Sequence, residues 1–407
     1  MKKINRLSVL LYFIICAQVY AHKDFSDRLS LKKWVNGPEV LHEEYTWKDA
    51  VNYIKKFHPE EQNSWFSNIK PNIFCCIIYE ARWGRIWSLG YMYNLDMLFY
   101  RDVLIPQFEE NDYVLIPFWG EANSMKNRIN LLLKNAKHPK NFFFMANSQK
   151  DADMLNEEVG VQAYGVSHNA FIDKDSFVPF STKKEFTAVY CGDTRPQKRL
   201  HLAELIMPQT LIISHSTPDV LEIVKNAKSI LRHPSVEKIS ESMSKAFCGL
   251  ILSEQEGGCY ASTEYLYCGI PVVSTISIGG RDAYYDEDTA IVVEDDPQKI
   301  KEAALKWVQR APNPYLIREK ALLVSEKMLD ILAYEILQPI FVKHQDQNAK
   351  DPRGFVNKVI GLSRKAGSKG RTLFQPECSN CDTMQKIIQR QLATHFDKRK
   401  IMNKKYH

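Results

Sequence analysis

Two carboxylates, Glu256 and Glu264, stand with seven residues between them in the run Glu256-Gly-Gly-Cys-Tyr-Ala-Ser-Thr-Glu264, and Tyr-Leu-Tyr-Cys-Gly269-Ile-Pro271-Val-Val-Ser274 follows at once. The apolar residues 249–252 lead in with strand character. Gly257-Gly258 makes a turn, and a helix is expected from about Tyr260 until Gly269 and Pro271 stop it. At roughly 1.5 Å rise per residue, Glu264 lies about one turn inside that helix. Glu256 and the amides after it lie at its positive end. A helix start fed by glycines favours a bound anion, here a diphosphate. A chain carrying this strand, glycine turn and helix is built as a ligand-binding α/β protein.

The segment resembles the donor-binding motif of retaining GT-B glycosyltransferases of the E-x7-E class, also described as glycosyltransferase family 4 or group 1. The residues that carry the resemblance are Glu256-Gly257-Gly258, Glu264-Tyr265-Leu266-Tyr267, Gly269-Ile270-Pro271-Val272-Val273 and Gly279-Gly280. Two glutamates at this spacing alone would fit any solvated helix. Agreement along residues 256–280 is what gives the resemblance its weight. It implies two Rossmann-like parallel-sheet domains facing across a cleft, with C-terminal helices crossing back.

Upstream, residues 188–192 read as a buried strand and Asp193-Thr-Arg195-Pro-Gln-Lys198-Arg199 as the loop after it, with residues 201–206 helical. In the resembled family this loop supplies an Arg and a Lys that clamp the donor diphosphate. Lys198 matches the lysine. Asp193 stands where the family has its arginine, so Arg195 or Arg199 would provide the second cation. Positive charge placed in advance stabilises the negative charge that a diphosphate leaving group accumulates. Without the downstream motif, a solvated basic loop would be the better reading.

The remaining roles also follow from the resemblance. Glu264 would accept from the ribose hydroxyls, and Glu256 would face the transferred sugar. Gly257, Gly258, Tyr260 and Ala261 would line the donor. Catalytic weight falls on Glu256 and Lys198. The donor would be a UDP- or GDP-linked sugar and the product a hexosyl transfer with retained configuration. No cofactor is implied and no metal is required at the reaction centre. The acceptor, a glycan or lipid-linked sugar, has only faint marks: Arg82, Trp119 and Glu121 follow strand candidates, where ligands collect on parallel sheets. Aromatics after strands more often serve interdomain packing, and His168 and His233 are candidates for the cleft, although a single histidine more often sits on the surface or in the core. Arg281-Asp282 departs from the family's Gly-Gly-x-x-Glu, leaving Asp282 as a candidate acidic group.

Strand-like runs at 72–79, 113–118 and 141–145 alternate with helical stretches at 123–135 and 148–159, which implies a parallel sheet. A helical face is also expected over 45–57. Residues 166–173 resemble the turn that closes the family's N-terminal domain, with Ala170 in place of its glycine. The expected division is 22–175 for an N-terminal acceptor domain, 185–313 for the donor domain and 314–343 for crossover helices. Residues 344–407 read as a flexible basic tail.

Charge supports that last assignment. The net charge is +6, yet residues 351–407 hold thirteen Lys/Arg against four Asp/Glu, leaving the preceding 350 residues at −3. A solvated tail is the default and contact with an anionic membrane comes next. No nucleic-acid module is present, so nucleic acid is not expected as a partner. The nine cysteines fall mostly in apolar segments, as buried thiols do in a reducing compartment. Cys378-x-x-Cys381 lacks the partner pair of a structural zinc site. Residues 1–21 have the basic start and apolar run of a signal or anchor, but the run is too short to cross a bilayer comfortably. Location is therefore expected to be cytoplasmic or at the cytoplasmic membrane face, with export or anchoring through residues 1–21 as the alternative. Two other functions compete with glycosyl transfer: a nucleotide-sugar epimerase or phosphorylase, and a degenerate, non-catalytic GT-B binding protein.

Overall fold

The structure is a computed structural model of the 407-residue chain. It describes residues 74–90, 105, 108–117, 122–214, 222–232 and 234–365. The readings placed on 1–21, 45–57, Trp119, Glu121, His233 and 366–407 lie outside the described residues.

In chain order the elements begin with strands β1 (Phe74–Ala81), β2 (Gly84–Gly90) and β3 (Asp112–Pro117), followed by helix α1 (Ala122–Leu133), β4 (Phe142–Ala146), α2 (Gln149–Val159) and β5 (Gln162–Gly165). A second series is β6 (Phe186–Cys191), β7 (Thr210–Ser214), α3 (Glu222–Lys225), β8 (Ser229–Arg232), α4 (Val236–Met243) and β9 (Ala246–Ile251). It continues through α5 (Tyr260–Tyr267), β10 (Val272–Thr275), β11 (Ala290–Val293) and α6 (Pro297–Arg310). Helix α7 (Pro314–Asp330) runs through a π-helical segment, Ile331–Leu337, into α8 (Gln338–Lys343), and α9 is Pro352–Lys365. The fold is α/β, with strands that are mostly parallel.

The chain forms two compact units. Among the described residues, one comprises those of 74–116 and 126–142, and the other those of 117–125 and 143–365. In the first unit β1 and β2 form an antiparallel hairpin, and β2 pairs in parallel with β3. The hairpin corrects the expectation of a parallel strand over 72–79: the chain reverses at Arg82-Trp83 and pairs Ala81 with Gly84. An apolar run is compatible with either direction of pairing, so the sequence pattern did not separate them. Arg85 sends its guanidinium to the buried Asp112 through Nε at 2.7 Å and Nη2 at 2.6 Å, and Trp87 Nε1 donates to the same carboxylate at 3.3 Å. The Asp112 hydrogen bond raises the Arg85 pKa and fixes the β2/β3 register.

In the second unit β4 pairs in parallel with β5, and a six-stranded sheet follows in the order β11-β10-β9-β6-β7-β8, all parallel. Parallel strands covered on both faces need near-continuous apolar runs. Thr210–Ser214 and all but one residue of Ala246–Ile251 are buried accordingly. Helix α6 closes one face with Ile300, Ala303, Ala304 and Trp307, while Leu200, Ile206 and Met207 add to the same core. Asp296 caps α6 by accepting from the N–H of Gln298 and Lys299, and Pro297 occupies its first turn.

Residues 344–365 correct the expectation of a tail beginning at 344. Helix α9 buries Phe355, Val356, Val359 and Ile360, an apolar face at helical spacing set among its basic residues. The Arg353 guanidinium pairs with Glu326 and Asp330, and so anchors α9 to α7.

Candidate functional site

The parallel sheet places the ends of β6, β9 and β10 side by side, and the loops leaving those ends carry most of the residues singled out in the sequence. Beyond β9 and β10 the pairing continues as one isolated bridge. Ile278 N–H donates to Glu254 O at 2.9 Å, and Glu256 N–H donates to Ile278 O at 3.1 Å. This lip requires glycine at 279. Its φ is +136°, and a Cβ there would fall 1.5 Å from the Glu256 carbonyl oxygen.

Lys198 ends a short turn, Pro196–Lys198, in the loop after β6. Its ammonium donates to Glu256 Oε1, an ion pair joining the β6 loop to the β9 loop. The two side chains are 25% and 13% exposed, so the pair is shielded but within reach of solvent. The structure thus brings together the two residues given catalytic weight.

The candidate second cations separate. Arg199 has a left-handed backbone, φ 50°, that turns its side chain back under the sheet ends. Its guanidinium donates to Leu252 O at 2.7 Å, to Thr275 Oγ1 at 2.9 Å and to both carboxylate oxygens of Asp295 at 2.5 and 3.0 Å. These bonds tie β9, β10 and the loop before α6 to the β6 loop. Arg195 is more exposed and pairs with Asp193 at 2.8 Å. Partial burial pushes the Asp193 carboxyl up, but hydrogen bonds from the Arg195 side chain and backbone and the charge of Lys198 outweigh it and hold the pKa below the ordinary value. The residue that departs from the expected arginine therefore engages one of its candidate replacements.

Gly257 and Gly258 are buried, and Tyr260 and Ala261 are half-buried in the first turn of α5. Glu264 is wholly buried in the same helix. One continuous segment therefore holds Glu256, Gly257, Gly258, Tyr260, Ala261 and Glu264. The Tyr265 hydroxyl accepts the Cys191 N–H at 2.6 Å, and the Ser262 and Tyr285 hydroxyls share a 2.8 Å hydrogen bond.

Three sets of contacts lie beyond the sequence reading, which names His168 and Arg281 without these partners. Asn169, in a single 3-10 turn (His168–Phe171), sends its carboxamide to Gly258 O, Cys259 O and Thr263 Oγ1. The His168 ring meets that of Tyr260 edge-on, centroids 4.7 Å apart. Arg281 is 1% exposed, and Nη1 donates to Ser253 O and Oγ at 2.8 Å while Nη2 donates to Thr275 O at 2.8 Å. Arg281 thereby holds together the loop ends that frame the lip. The signal for Asn169 was the partial turn motif over 166–173, which has no chemistry of its own until the fold sets it against α5.

Arg82 lies exposed on the β1–β2 turn, where Trp83 packs against Tyr79 and Tyr113 with centroids 6.1 and 6.0 Å away. Among the described residues, no group of three or more His, Cys, Asp or Glu is placed to hold a metal ion. No helix among them is long and apolar enough to cross a membrane.

No protein-family model matches the chain, and no curated protein matches it. Solved structures do resemble it. A point mutant of TarM from S. aureus, in complex with fondaparinux, alpha-GlcNAc-glycerol and UDP, is 16% identical, with a TM-score of 0.39 over 58% of this chain and 50% of TarM. The pneumococcal O-GlcNAc transferase GtfA, in complex with UDP and GlcNAc, is 15% identical with a TM-score of 0.41, covering 60% of this chain and 53% of GtfA. Sucrose-phosphate synthase from Thermosynechococcus elongatus is 15% identical with a TM-score of 0.45, covering 76% and 81%. The chain spans about half the length of those TarM and GtfA chains.

Proposed function

We propose that this chain is a retaining GT-B glycosyltransferase that moves a hexose from a UDP- or GDP-linked donor to a glycan or lipid-linked acceptor. The observation that carries the reading is the Lys198–Glu256 ion pair at the carboxyl ends of parallel strands, beside the start of the helix that carries Glu264. Ligands of open parallel sheets bind beyond those strand ends. A helix start attracts anions, and a nearby ammonium strengthens the attraction.

In this reading the diphosphate takes Lys198 from Glu256, and Arg195 supplies the second positive charge, because the Arg199 guanidinium is engaged with Asp295, Thr275 and Leu252. Glu264 accepts from the ribose hydroxyls. As the bond from the anomeric carbon to the diphosphate breaks, negative charge collects on the leaving oxygen and positive charge on the sugar. Lys198 and the α5 amides stabilise the first, and Glu256, released from Lys198, faces the second.

A second reading has its own support. Both clamp cations are paired with carboxylates, Lys198 with Glu256 and Arg195 with Asp193, which also suits a binding protein without turnover. Release of free nucleotide from UDP- and GDP-sugars in the presence of glycan and lipid-linked acceptors separates the two. An active transferase releases nucleotide and loses the activity in Glu256→Ala. Donor binding without nucleotide release under any acceptor supports the second reading.

A further inference from the structure

Asn169 is wholly buried, and its carboxamide nitrogen donates to Gly258 O, to Cys259 O at 3.3 Å and to Thr263 Oγ1 at 2.8 Å. All three acceptors lie between Glu256 and Glu264. The orientation of the amide follows from them, because two are carbonyl oxygens and accept only from the nitrogen end.

The consequence lies on the far side of those peptides. In a planar trans peptide the N–H points opposite to the C=O. Holding the carbonyls of Gly258 and Cys259 toward Asn169 turns the N–H groups of Cys259 and Tyr260 away from it. These lie at the amino end of α5, where backbone donors have no intrahelical acceptor. The segment needs an outside hold: Cys259 is in the left-handed region, φ 53° and ψ 88°, and α5 has no side-chain cap of its own. Gly258 makes the approach possible, since a Cβ there would come within 2.8 Å of Asn169 Oδ1 and 2.9 Å of His168 Nε2.

We infer that Asn169 is a positioning residue of the donor site, which fixes the peptide planes at 258–260 so that the α5 amides face the diphosphate of a nucleotide donor. This rests on the nucleotide-sugar reading above. Asn169 touches no ligand in this account and acts through the backbone of residues 258–260.

The test is calorimetric titration of UDP, GDP, UMP and GMP into the full chain and into Asn169→Asp. Aspartate is isosteric but presents oxygen to two carbonyl oxygens that can only accept, while the Thr263 hydroxyl can turn to donate. The expected result is a loss of about tenfold or more in diphosphate affinity, with monophosphate affinity of the same nucleoside changed less than about threefold. A folded Asn169→Asp that binds the diphosphate as tightly as the wild type, or loses both nucleotides equally, overturns the inference while leaving the donor-site reading in place. If the wild type binds none of the four, the donor-site reading itself falls and this inference with it. Should circular dichroism show Asn169→Asp unfolded, Gly258→Ala takes its place. Its methyl displaces the amide, and the same selective loss is expected, with equal losses counting against the inference.

Discussion

The Tyr265 hydroxyl accepts the backbone N–H of Cys191 at 2.6 Å, and the ring of the same tyrosine covers Gly249 so closely that a Cβ there would lie 2.1 Å from Cδ2. One side chain thus fixes α5 to both β6 and β9. Burial raises its pKa well above the ordinary value, so the phenol stays protonated at any working pH.

Gly249→Ala is expected to destabilise the second unit by about 1–3 kcal/mol through overpacking. Tyr265→Phe, which loses only the hydroxyl, should cost about 1 kcal/mol. Urea unfolding followed by circular dichroism measures both. Equal midpoints for Gly249→Ala and wild type would contradict the packing described.

Arg281→Leu leaves the Ser253 carbonyl buried without its donor and the Thr275 carbonyl with the Ser274 hydroxyl alone, at about 1–3 kcal/mol for the unsatisfied group. A loss of about 2 kcal/mol is expected in thermal or urea unfolding. Arg281→Lys should not restore it, because a single ammonium lacks the planar fork that spans both strand ends.

Asp193→Asn tests the second clamp cation. Releasing Arg195 from its carboxylate is expected to tighten UDP or GDP binding by up to about fivefold, the scale of a partly exposed ion pair. The gain should shrink with added salt. The same variant has a pH signature. A carboxyl whose folded pKa lies below its ordinary value stabilises fully above that ordinary value, and the contribution is lost as pH falls through the folded one. Wild type should lose more stability than Asp193→Asn on acidification below the ordinary carboxylate range.

Thiol labelling reports burial around the site. Burial pushes the Cys268 thiol up to about 12, the Ser240 hydrogen bond opposing it, and burial pushes Cys248 up as well. Cys259 is half-buried at the start of α5, whereas Cys191, Cys248 and Cys268 are buried. Under native conditions at pH 8, peptide mapping after N-ethylmaleimide treatment should find Cys259 labelled ahead of the other three. Labelling of Cys248 or Cys268 at the same rate would show the sheet core to be open.

The donor half was legible because its elements carry strong local signals. The strand over 188–192 was found as Phe186–Cys191, that over 211–214 as Thr210–Ser214, and the helix from Tyr260 as Tyr260–Tyr267. Apolar runs, a Gly-Gly turn and a Gly-x-Pro stop made them visible. The hairpin partner β2 was missed because its turn, Arg82-Trp83, lacks an Asn-Gly or Asp-Gly signal. Strand β8 was missed because Ser229 and Arg232 at its ends are exposed, with only Ile230 and Leu231 between them. Helix α9 was hidden by the basic residues around its four buried apolar positions. At the site, Lys198 and Glu256 were found through their motifs, but the engagement of Arg199 by Asp295 and the hold of Asn169 on Gly258 join residues far apart in sequence. Such pairings come from the fold alone.

Calorimetric titration of UDP, GDP and their sugar conjugates into wild type and Glu264→Ala tests the donor-site assignment most directly. The expected result is saturable binding of one nucleotide series by wild type and its loss in a folded Glu264→Ala. Binding of neither series by wild type, or unchanged affinity in Glu264→Ala, would contradict it.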